Sequence, residues 1–208
     1  MIWDVLNIVG TIAFAASGAI VAMEEKYDIL GVYILGLVTA FGGGVVRNLL
    51  IGIPVPTLWE QESLIEIALV TVTLIFFLPH LWMKHLKQWT FFDAIGLAAF
   101  AVQGAIYATE KQLPLGAIMV AALLTGIGGG VIRDVLAGRK PLVFREEIYA
   151  AWAILAGVVI GKGWAQDNLE LSVLFISVVI LRMVSVTLKW RLPRRTVSVE
   201  YRNKTEGF

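Results

Sequence analysis

The sequence predicts an all-α integral membrane protein of seven transmembrane helices, arranged as a 3+3 inverted repeat plus a seventh helix. Three observations predict it. Hydrophobic residues make up 58% of the 208 positions, charged ones 16%, and mean hydropathy is +0.80, more apolar surface than a soluble domain of this size can bury. Seven apolar segments run along the chain, most of them long enough to cross a bilayer. The third observation is a motif that occurs twice: Gly-Gly-Gly-Val-Val-Arg-Asn at 42–48 and Gly-Gly-Gly-Val-Ile-Arg-Asp at 128–134. The offset of 86 holds without a gap from Gly10 to Gly52. Over that stretch 18 of 43 positions match their partners, Phe14 with Phe100 and Gly18 with Gly104 among them.

The segments are expected at 3–23, 29–52, 64–83, 91–109, 115–138, 147–163 and 169–190. The first has the small residues of a cleavable leader, but Asp4 stands where a basic region belongs. It is also the repeat partner of segment four, so it is read as a permanent helix. This makes one transmembrane domain over 1–190, with repeat one at 3–83, repeat two at 91–163 and an extra helix at 169–190. A polar basic tail, 191–208, follows. Twelve of the Lys and Arg residues fall in connections on one side and in the tail, against Lys111 and Lys162 on the other. The positive-inside rule then puts the amino terminus outside and the tail in the cytoplasm of a prokaryotic plasma membrane. Trp3, Trp59, Trp82, Trp89, Trp164 and Trp190 fall at segment ends and are read as interfacial anchors, Trp152 a little deeper.

Each repeat contains three segments, an odd number, so the second copy enters the membrane from the opposite face. Inverted repeats with matching Gly-interrupted helices point to a transport pathway near the midplane. Gly42, Gly43 and Gly44, like Gly128, Gly129 and Gly130, remove side-chain cover and weaken helix, so segments two and five are expected to break there. Close helix packing is the competing use of such glycines. Arg47 and Arg133 follow within the next turn, with Asn48 and Asp134 beside them. An arginine at membrane depth is costly unless it faces the protein interior with an acceptor in reach, so both are assigned to the pathway. Arg182, eight residues before the basic tail, is read as snorkelling to the interface.

Other repeat-matched polar pairs are Asn7 with Asp93, Ser17 with Gln103, Thr39 with Thr125 and Glu24 with Glu110. Thr39, Thr125 and Asp93 join the pathway set, although such threonines commonly bond to their own helix and Asp93 could cap one. The glutamates fall at helix ends and are read as solvated. The chain has no cysteine, and its two histidines, His80 and His85, do not make a metal site. No catalytic constellation appears and no Walker lysine follows the glycines, so neither an enzyme, a cofactor nor a nucleic-acid partner is expected.

Two Gly-Gly-Gly-x-x-Arg-Asn/Asp motifs, three plus three inverted segments and a seventh helix resemble the prokaryotic members of the trimeric intracellular cation (TRIC) channel family. These bacterial proteins have also been labelled glycine transporters. The resemblance covers residues 2–190. It implies a homotrimer in membrane lipid, with one pore in each protomer along the second and fifth helices, conducting monovalent cations such as K⁺. It carries Gly42–Gly44, Arg47, Gly128–Gly130 and Arg133 to the pore. The basic loop motif through which animal members bind anionic lipid has no match in this chain. An arginine beside a narrow pore repels cations unless it is screened, whereas it suits the carboxylate of a small zwitterion such as glycine. Channel and transporter therefore both stand at this point.

Overall fold

The computed structural model describes residues 2–77, 89–144, 148–190 and 192–193, without the side chains of Val55, Leu58 and Trp59. His80, His85, Trp82, Lys84, Lys87, Arg145 and nearly all of the tail lie outside the described residues. Seven α-helices are described: α1 (Ile2–Glu24), α2 (Ile29–Ile51), α3 (Glu62–Phe77), α4 (Trp89–Glu110), α5 (Leu115–Leu136), α6 (Ala150–Gly161) and α7 (Asn168–Thr187). Five of them, α1, α2, α4, α5 and α7, are long and apolar enough to cross a membrane. The sixth is shorter than the 147–163 expected. Its 12 residues rise about 18 Å, less than the roughly 30 Å hydrocarbon core. For α3, 16 residues are described and the rest of the expected segment lies outside.

The helix ends follow local chemistry. Asp28 caps α2 by accepting a 2.8 Å hydrogen bond from Gly31 N–H. Both second helices stop beside a glycine in the left-handed region, Gly52 (φ 70°) and Gly138 (φ 69°), a conformation other residues adopt only at a cost. Pro114 stands immediately before α5, where a missing N–H costs nothing.

Helices α1, α2, α4 and α5 form the centre, with α3 packed on α1 and α2, and with α6 and α7 covering α4. The contacts between the two halves are reciprocal. A Cβ on Gly10 would meet the Phe100 ring at 2.8 Å, and one on Gly96 would run into Phe14. The two rings meet edge to face, centroids 5.2 Å apart. In the same way Gly43 faces Thr125 O while Gly129 faces Thr39 O. In each set one residue number rises as the other falls, so α1 runs antiparallel to α4 and α2 to α5. Small residues allow this: α1 and α4 bury long runs of alanine and glycine against each other.

The expected breaks are not present. Helix runs unbroken through Gly42–Gly44 in α2 and through Gly128–Gly130 in α5. Among the described residues the only left-handed glycines are Gly52, Gly138 and Gly163. The triplets serve close approach. A Cβ on Gly43 would lie 2.5 Å from Thr125 O and 3.1 Å from Gly129 N, and one on Gly128 would lie 2.8 Å from Gly43 Cα. The physical reason is that an unmade backbone hydrogen bond at membrane depth costs several kcal/mol, whereas a glycine in a helix costs about 1 kcal/mol.

Candidate functional site

The third glycine of each triplet opens onto an arginine. A Cβ on Gly44 would stand 3.7 Å from Arg47 Nη2, and one on Gly130 would stand 3.7 Å from Arg133 Nη2. Both guanidinium groups are turned into the protein, with Arg47 4% and Arg133 0% exposed. Each hydrogen-bonds its own neighbour in the same way. Arg47 donates from Nε and Nη2 to Asn48 Oδ1 at 3.0 and 2.8 Å. Arg133 donates from Nε to Asp134 Oδ1 at 2.9 Å and brings Nη2 within 2.8 Å of the same oxygen. Each also reaches the first helix of the other repeat. Arg47 Nη1 donates to Gln103 Oε1 at 3.4 Å, and Arg133 Nη1 to Ser17 Oγ at 2.6 Å. The two clusters occupy opposite ends of the α2–α5 seam.

Their charges differ. Arg133 pairs with Asp93 at 2.7 Å as well as with Asp134, both carboxylates being buried with it. At the position equivalent to Asp93 the first cluster has Asn7, and Asn48 replaces Asp134. Arg47 therefore has amide partners and the face of Tyr107, 4.1 Å from the ring centroid. Such a cation–π contact is worth about 2 kcal/mol when desolvated, less than the several kcal/mol that burying one ion costs. The Arg47 cluster borders a cavity of about 30 Å³ lined by both polar and apolar side chains, room for one or two waters. Its lining includes Asn7, Thr11, Gly44, Arg47, Asn48 and Gln103.

Connections cover both clusters. Asn48 Nδ2 donates to Thr57 Oγ1 at 3.5 Å, and Asp134 Oδ2 accepts from Leu142 N–H at 3.1 Å. Over Arg133 lies the Trp89 ring, 4.7 Å away, and the Tyr149 hydroxyl would lie 3.0 Å from a Cβ on Gly130. Tyr149 in turn stacks under Arg182 at 4.7 Å. Arg182 is 0% exposed, so the snorkelling assigned to it is corrected. It lies on the face of α7 turned toward the bundle, where the Tyr149 ring receives it.

Thr39 and Thr125 sit at the seam, but their hydroxyls donate to their own helices, to Leu35 O and Ala121 O, each at 2.6 Å. Asp93 is an ion-pair partner well inside α4. Glu24 is paired too: with Glu25 it holds Arg139, at 2.9 and 2.5 Å, tying the α1–α2 connection to the end of α5. Burial pulls the Arg139 guanidinium down, and the hydrogen bonds and charge of Glu25 and Glu24 outweigh it, leaving it above its ordinary value. Tyr107 and Tyr149 escaped the sequence reading, which took Trp89 for an interfacial anchor and not for a lid on Arg133. Trp89 carried a signal, as the repeat partner of Trp3, but the partners of Tyr107 and Tyr149 are Val21 and Ser63, which give none.

Together these features define a multi-pass membrane protein of the transport class. Its apolar helices carry buried, repeat-related charge clusters. The model of a family described as "Glycine transporter" matches residues 4–80 and 90–162, one copy on each half. The UPF0126 membrane protein YvgT of Bacillus subtilis is 57% identical over 201 residues, covering 96% of this chain and 100% of that one. The UPF0126 inner membrane protein YadS of Escherichia coli K12 is 35% identical, covering 94% and 96%. A structure described as "Structural basis for conductance through TRIC cation channels" superposes with TM-score 0.83 at 36% identity, covering 95% of this chain and 98% of that one. The TRIC orthologue from Rhodobacter sphaeroides superposes at 0.78 with 30% identity, covering 90% and 98%. The chain belongs to this family of UPF0126 membrane proteins and prokaryotic TRIC channels.

Proposed function

We propose that the protein is a cation channel whose path follows the α2–α5 seam, one path in each protomer of a homotrimer, conducting K⁺. The observation that carries this reading is the pair of buried arginine clusters at opposite ends of that seam, one of them holding the carboxylates of Asp93 and Asp134. The fold shared with structures described as TRIC cation channels supports it. Arg47, Asn48, Arg133, Asp134 and Asp93 would meet the permeating ion's hydration shell. The glycines, Thr39 and Thr125 would set the closeness of the two helices. The reciprocal antiparallel contacts support an inverted repeat about an axis in the membrane plane, since exchange of the halves turns each contact into another. The charge count of the connections supports an outer amino terminus, with Arg47 on the outer and Arg133 on the cytoplasmic side.

A second reading, carriage of glycine or another small amino acid, is favoured by the description of the matching family model. Purified protein in planar bilayers and in liposomes separates the two. The channel reading expects unitary currents whose reversal potential follows a K⁺ gradient. Saturable glycine uptake without unitary currents would replace it with the carrier.

A further inference from the structure

The two arginine clusters are built alike, but only one of them holds carboxylates. At Arg133 two buried carboxylates meet the guanidinium, and a second buried guanidinium, Arg182, lies beyond the Tyr149 ring. At Arg47 both carboxylate positions carry amides, Asn7 and Asn48, and the guanidinium keeps its charge uncompensated at 4% exposure. The backbone and hydrogen-bond geometry are otherwise alike. Asn48 Oδ1 accepts from Arg47 Nε and Nη2 at 3.0 and 2.8 Å, and Asp134 Oδ1 meets Arg133 Nε and Nη2 at 2.9 and 2.8 Å. The missing negative charge coincides with a space: a cavity of about 30 Å³ opens beside Arg47, with Asn7, Asn48, Gln61 and Gln103 on its polar side and Phe41, Leu64 and Phe100 on its apolar side.

We propose that this cavity is a monovalent-anion site, in which a small anion takes the place that Asp93 and Asp134 fill at the other end. The amide groups of Asn7, Gln61 and Gln103 offer N–H donors, as an anion requires, and no carboxylate lines the cavity to compete. The cavity has room for a halide or the carboxylate end of a zwitterion. A bound anion screens Arg47, which otherwise repels a cation from the same end of the seam. The inference rests on the pocket and its charge, and holds whether the protein proves to be a channel or a carrier.

The test reads binding, so that its failure differs from a failure of the currents or uptake that test the function. Melting of the purified protein is followed as chloride replaces a bulky organic sulfonate at constant ionic strength, and again with added glycine. The wild type is expected to be stabilised saturably. Asn48→Asp, which supplies the counter-charge internally, is expected to weaken the apparent anion affinity about tenfold or more, and Arg47→Gln likewise. Stabilisation by chloride alone identifies a halide site. Stabilisation by glycine that competes with chloride identifies a substrate carboxylate. A wild type indifferent to both, or an equal response in Asn48→Asp, overturns the proposal. Should Asn48→Asp not fold, anomalous scattering from wild-type crystals soaked in bromide decides: a peak at the Arg47 guanidinium is expected, and its absence overturns the site.

Discussion

Replacing Gly129 with alanine tests whether the glycine triplets are contact surfaces or breaks. In a broken helix alanine would restore helical propensity, a gain of about 1 kcal/mol. In the helix observed here the added methyl group runs into the backbone carbonyl of Thr39, with Phe14 ring carbons 3.1 Å away on the other side. A carbonyl cannot rotate aside, so α2 and α5 must separate or tilt. Overpacking of this kind costs about 1–3 kcal/mol, which exceeds the propensity gain. The expected net effect is a loss of up to about 2 kcal/mol, and Gly43→Ala should lose a similar amount against Thr125 O. Gly116 supplies the control. It lies in the first turns of the same helix with nothing within 4 Å of its would-be Cβ, so Gly116→Ala should be neutral or stabilising. Thermal unfolding of the three variants in one detergent reads the comparison. A Gly129→Ala protein as stable as Gly116→Ala would refute the close-contact account and return the triplet to a helix break.

Asp93→Asn leaves Arg133 paired with Asp134 alone and should cost about 1–3 kcal/mol in unfolding, while Asn7→Asp, its repeat mirror, should cost little because it adds a carboxylate to the pocket of Arg47. Tyr149→Phe keeps the ring under Arg182 and should leave melting within about 1 kcal/mol of wild type, whereas Tyr149→Ala should lose about 3–5 kcal/mol. Arg139→Gln should cost under about 1 kcal/mol at low salt and nothing near 1 M salt, since its pairs with Glu24 and Glu25 are partly solvated; a salt-independent loss would contradict that account.

The sequence carried the helices and the pairing of the halves because both rest on strong, repeated signals. The hydropathy of α1, α2, α4, α5 and α7 is high enough to mark them, and the offset of 86 placed Arg47 and Arg133 in equivalent surroundings before any contact was known. The triplets were misread for a definite reason. Glycine serves both a break and a close approach, and only the partner's position distinguishes them; Thr125 O and Thr39 O lie across a helix interface that sequence spacing cannot reveal. Arg182 failed for the same kind of reason. Distance along the chain to the basic tail suggested an interface, but the direction of its side chain is fixed by the packing of α7 on the bundle, which places the Tyr149 ring beneath it.

Duplication supplies two copies of one backbone arrangement, and the chemistry is then differentiated by a few side chains. Four of those differences fall at the Arg133 end: Asp93 for Asn7, Asp134 for Asn48, Arg139 for Ile53 and Tyr27 for Leu113. Each adds a contact there. Asp93 and Asp134 neutralise Arg133, Arg139 ties down Glu24 and Glu25, and the Tyr27 hydroxyl donates to Leu136 O at 2.8 Å. At the other end the same positions hold amides and aliphatic side chains, and there the Arg47 cavity lies open. The two ends therefore differ in how firmly they are held, although 18 of 43 repeat-matched positions along the helices that form them are identical. A solute on the path proposed above would meet one loosely held end and one cross-linked end, and passing the second would require rearranging Arg133. A membrane potential supplies about 2.3 kcal/mol per elementary charge per 100 mV, the same order as the contacts to be broken. The rearrangement then belongs to the substituted end, where Asp93 and Asp134 hold Arg133.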